Sequence, residues 1–114
     1  MRDDVEAYIT QKYPQADQRA AVMQDAAALQ ASLLVDPTNT AAVKAASLRA
    51  SRALKCLFLR FGAGGSSGLA NPSAVARDTF SITTNTKLRL MAFFAYDKAL
   101  DGSVISQPQG NTCE

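Results

Sequence analysis

Two cysteines carry the most specific chemistry in the chain: Cys56, inside the basic and apolar run "RALKCLFLRF", and Cys113, in the closing "GNTCE". A thiol can serve as a nucleophile, a metal ligand or half of a disulfide. Arg52 and Lys55 could depress the pKa of Cys56, but the chain has no histidine to act as base and no second nearby thiol. Two cysteines without histidine also fall short of a four-ligand zinc site, so no metal and no cofactor are expected. Two alternatives remain. The cysteines are separate free thiols, Cys56 then acting as a small buried hydrophobe on the apolar side of a helix. Or they form a Cys56–Cys113 disulfide, which would tie down a polar tail that otherwise frays. Closing the segment between them is worth on the order of 4 kcal/mol by chain entropy. The bridge implies an oxidising compartment, periplasmic or secreted; without it the cytoplasm is the expected location.

The second candidate is "FGAGGSSGLANP", residues 61–72, where glycines could cradle a phosphate. A dinucleotide loop needs G-x-G-x-x-G between a strand and a helix, yet counting from Gly62 the sixth position is Ser67 and the preceding pattern is helical. A Walker-type loop needs Gly-Lys-Ser or Gly-Lys-Thr, and no lysine lies between Lys55 and Lys87. Ser66 and Ser67 lack a histidine to activate them. The segment reads as a helix stop followed by a soft connector. The acids fall mostly at expected helix starts or exposed positions, where the helix dipole accounts for many of them. No pair is spaced as an acid and base, and no catalytic residue is assigned.

Charge is distributed more tellingly than its net of +2 suggests. Residues 1–36 hold six acids (Asp3, Asp4, Glu6, Asp17, Asp25 and Asp36) against three bases. Residues 37–77 hold Lys44, Arg49, Arg52, Lys55, Arg60 and Arg77 and no acid at all. Lys44, Arg52 and Lys55 fall near one edge of a helix. Three roles compete for this basic helix: internal pairing with the acidic N-terminal segment, docking of an acidic protein partner through Lys44, Arg49, Arg52, Lys55 and Arg60, or binding of nucleic acid. The last lacks the strongly basic balance and aromatic platforms that usually accompany it.

The elements that must hold these residues are helical. At 114 residues, with 47% hydrophobic and 19% charged side chains, the chain suits one domain spanning 1–114 with a modest core. Asp3 or Asp4 can start a helix with Val5, Tyr8, Ile9 and Tyr13 on one face, stopped by Pro14. The alanine-rich stretch from about Gln15 to Val35 predicts a second helix with Ala16, Ala20, Met23, Ala27 and Leu34 inward, widened by Val22, Ala26, Leu29 and Leu33. "DPTNT" stops it and starts a third near residues 38–40, ending at Gly62, with Val43, Ala46, Ala50, Ala53, Leu54, Leu57, Phe58 and Phe61 inward. Asn71 and Pro72 open a fourth to about Phe80, and "SITTNT" reads as a connector. Thr84 or Asn85 caps a fifth, from Thr86 to about Leu100, with Gly102 as its stop.

The expected fold is therefore all-α: a compact bundle of four to five helices with a Gly/Ser-rich connector and an extended C-terminal tail. Phe58, Phe61, Met91, Phe93, Phe94 and Tyr96 are expected in its core. No apolar run reaches the roughly eighteen residues needed to span a membrane, and "MRDDVEAYITQKYP" is too polar for a secretory leader. The chain is thus cytosolic or a mature domain. Its residues suggest a non-enzymatic helical protein that binds a macromolecule: a bacterial envelope or secreted inhibitor, immunity-type or adaptor protein. The alternative is a cytosolic nucleic-acid-binding or regulatory domain working through the basic third helix.

Overall fold

Side-chain caps and stops mark out most of the helices. The computed structural model describes residues 3–62, 71–101 and 108–114. Among these residues it holds five helices and no strand: α1 (Asp3–Lys12), α2 (Ala16–Leu34), α3 (Thr40–Phe61), α4 (Pro72–Thr83) and α5 (Lys87–Ala99). The radius of gyration, 14.0 Å, is close to the ~13 Å of a compact chain of this length. The all-α bundle expected from the sequence is what forms.

Asn39 caps α3 by accepting from the Ala42 amide at 3.1 Å, and Asn71 caps α4 by accepting from Ala74 at 2.8 Å with Pro72 behind it. Thr86 caps α5 through the Arg89 amide at 3.2 Å, slightly later in the chain than expected. Gly62 ends α3 with φ 65° and ψ 179°, a conformation open essentially to glycine alone. The proposed Gly102 stop and the connector serines, Ser66 and Ser67, lie outside the described residues.

Helix α4 runs through Thr83 and so absorbs Ser81 to Thr83, which had read as connector. The β-branched residues there have no strand to pair with among the described residues. Instead the hydroxyls of Thr79 and Thr84 turn back onto the Val75 and Phe80 carbonyls, at 2.9 and 2.7 Å, and Thr79 and Thr83 are buried.

Helix α2 is central and packs against all four others. Its five-residue link to α3 and the shared cluster of Val22 with Leu57 and Phe61 make the two an antiparallel hairpin. The larger core joins Val5 and Ile9 of α1, and Tyr13 just after it, to this hairpin and to Val75 of α4. A smaller one holds Val43, Ala46 and Tyr96, with Phe93 and Leu100 packed against it.

Two core expectations need correction. On α2, Ala16, Ala20 and Leu34 are exposed, while Gln24, Asp25, Ala28 and Ser32 are buried. An alanine-rich helix has little hydrophobic asymmetry, so the partners around it decide which side turns inward. Of the expected core aromatics and neighbours, Phe61 and Tyr96 are buried and Phe93 is half-buried, but Leu54, Phe58, Met91 and Phe94 stand exposed. Only one buried residue, Tyr96, anchors α5. Its other side faces out.

Candidate functional site

The tail is held by a disulfide and a set of hydrogen bonds. Cys56, buried on α3, bridges to Cys113, with Cα atoms 4.9 Å apart. Thr112 is fully buried beside it and donates its hydroxyl to the Arg52 carbonyl at 2.6 Å. Gln24 of α2 completes the clasp. Its amide nitrogen donates to the Thr112 carbonyl and its amide oxygen accepts from the Glu114 amide, both at 3.0 Å. The side chain thus stands in for a neighbouring peptide group. Lys55 adds a bond from Nζ to the Pro108 carbonyl at 3.0 Å. No sequence signal singled out Gln24, because a glutamine in an alanine-rich helix reads as a solvent-facing helix former.

Helix α3 presents a mixed outer stripe. Helical spacing brings Lys44, Leu48, Arg52, Lys55 and Leu59 to one side. Leu48 and Leu59 are 49% and 48% exposed, so the stripe alternates apolar and basic groups in solvent. Arg49 and Arg60, both exposed, lie about 100° around the helix from Leu48 and Leu59 respectively. Of the five candidate partner-binding residues, Lys55 is already engaged by the tail. Lys44, Arg49, Arg52 and Arg60 make no ion pair among the described residues. The internal pairing weighed from the sequence is therefore not what α3 does: the ion pair between described residues joins Lys12 to Asp78 instead, at 3.1 Å.

That pair belongs to a polar cluster fastening α1 to α4. The Tyr8 hydroxyl donates to both carboxylate oxygens of Asp78 at 2.9 Å, Lys12 Nζ donates to the Tyr8 oxygen at 3.0 Å, and the Tyr13 hydroxyl reaches Asp78 at 3.3 Å. Partial burial opposes ionisation of Asp78, but the bonds from Tyr8 and Lys12 prevail and hold its pKa below the usual value. The same contacts, with Tyr8 first and Asp78 next, raise Lys12. Burial and the Asp78 charge push Tyr13 up to about 12. A tyrosine shifted that way keeps its proton and goes on donating to Asp78, so the cluster fastens α1 to α4.

Asp25 is the least expected group. It is 6% exposed in the middle of α2, desolvation alone raises its pKa to about 7, and it has no hydrogen-bond or ion-pair partner among the described residues. Asp3, Glu6, Ala7, Thr10 and Gln11 line a wide-open depression along α1, too shallow to exclude water. Among the described residues no three histidines, cysteines or acids gather as a metal site. Compared with known family models, curated proteins and solved structures, the chain matches none.

Proposed function

We propose that this is a non-enzymatic docking protein whose outer α3 stripe binds an acidic protein partner in an oxidising compartment, the periplasm or the outside of a bacterial cell. An inhibitor, immunity-type or adaptor role fits such a module. One observation carries the reading: Leu48, between Lys44 and Arg52, and Leu59, one turn beyond Lys55, stand half in water, and neither Lys44 nor Arg52 has an internal counter-charge among the described residues. Exposed leucines contribute to association when a partner removes them from water, and the flanking cations select a partner of opposite sign. The Cys56–Cys113 bridge, which persists where thiols are kept oxidised, supports the location.

The test is affinity capture from source cells with native protein, Leu48→Glu and Arg52→Glu, beside retention on duplex DNA. A captured acidic protein lost in both variants supports the proposal. Steeply salt-dependent DNA retention lost only in Arg52→Glu would replace it with nucleic-acid binding, because counterion release governs phosphate contacts.

A further inference from the structure

Helix α5 is apolar on two sides, and among the described residues only one has protein against it. Its inner side sets Phe93, Tyr96 and Leu100 on the core that holds Val43 and Ala46, with Phe93 edge-on to Phe80 of α4 at a centroid distance of 4.8 Å. The outer side carries Leu88, Met91 and Phe94, which are 84%, 56% and 54% exposed. Their spacing of three places them on one side of the helix, and exposed Lys87 and Lys98 border it at its two ends. Asp97, also exposed, continues the spacing of three about 60° beyond Phe94 and borders the face at its C-terminal end beside Lys98, and Asp101 follows the last turn. Between Leu88 and Phe94 the face holds no carboxylate.

We propose that this face of α5 rests on an anionic lipid surface, with Leu88, Met91 and Phe94 at the boundary between headgroups and acyl chains and Lys87 and Lys98 at the phosphates. Charge and size both favour that occupant. Three side chains expose an apolar patch of a few hundred Å², short of the roughly 800 Å² per partner that a stable protein pair buries. A second copy seated here would also set Lys87 and Lys98 against the same lysines. A lipid boundary needs no complementary groove, accepts a convex ridge, and its negative surface potential attracts the two lysines. No helix among the described residues is long and apolar enough to cross a membrane, so the contact is peripheral. The inference is independent of the α3 reading, since the two faces lie on different helices.

The chain has no tryptophan, so Phe94→Trp gives a single reporter. Native and variant proteins are sedimented with phosphatidylcholine vesicles, with and without about one third phosphatidylglycerol. The proposal predicts binding to the anionic vesicles, a blue shift of the indole emission of the Phe94→Trp protein on binding, and at least a ~10-fold drop in partitioning for Met91→Glu and for the double variant Lys87→Glu/Lys98→Glu. These positions are exposed, so the variants should melt with native protein. Absence of binding to anionic vesicles, or equal binding by Met91→Glu, overturns the proposal. So does vesicle binding that is lost in Arg52→Glu but kept in Met91→Glu, or a lipid-free dimer that Met91→Glu dissolves.

Discussion

Ionising Asp25 should cost this protein much of its stability as pH rises through neutrality. An aspartate normally titrates at 3.8, whereas burial on α2 holds Asp25 at about 7. The folded chain therefore keeps a proton that the unfolded chain releases. Stability from this group is fully present below about pH 4, declines as the pH rises and is lost once it passes the folded value near 7. Three units at about 1.4 kcal/mol each give a loss on the order of 4 kcal/mol, a large share of the roughly 5–15 kcal/mol of a small domain. Urea unfolding at intervals from pH 4.5 to 8.5 measures the slope, and the absence of histidine leaves no other side chain with an ordinary pKa there. Asp25→Asn, which cannot ionise, should flatten the curve and cross above the native protein near neutral pH. A native curve flat across this range would refute the reasoning, as would an Asn variant with the same slope.

Cys113→Ser should lower stability by on the order of 4 kcal/mol in oxidising buffer, with the difference largely gone under reductant in thermal melts. Gln24→Ala removes both bonds to the tail backbone; a loss of about 1–2 kcal/mol and faster hydrogen exchange at the Glu114 amide are expected. Asp78→Asn should weaken the tie between α1 and α4 by about 1–3 kcal/mol. Because the folded pKa of Asp78 is depressed, its contribution is present above the ordinary carboxylate range and lost as pH falls through the folded value, so the native and variant curves should converge in acid.

Much of this architecture was readable because the signals are local. Asn71 followed by Pro72 opens α4, Gly62 closes α3, and the proline and capping residues at 36–40 separate α2 from α3, each acting within a few residues. The disulfide was among the readable options because the absence of histidine removed most other uses for two thiols. What escaped depends on distance. Tyr8 meets Asp78 across 70 positions and Gln24 meets Thr112 across 88, and no spacing rule reaches that far. Asp25 read as a surface acid because α2, packed against four helices, buries positions that its own pattern leaves polar. On α3 the basic edge was visible, but the exposure of Leu54 and Phe58 was not. An amphipathic pattern locates the apolar side without saying how much of it the neighbouring helices cover.

The docking role of α3 is tested most directly by a photo-crosslinking residue at Leu48, introduced into native protein and into Lys44→Glu/Arg52→Glu in source cells. The expected result is one discrete adduct with an acidic protein, lost in the double variant while its melting temperature matches the native value. An adduct of unchanged yield in the charge-reversed protein, or no adduct at Leu48 while a residue placed at Ala20 on α2 gives one, would contradict it.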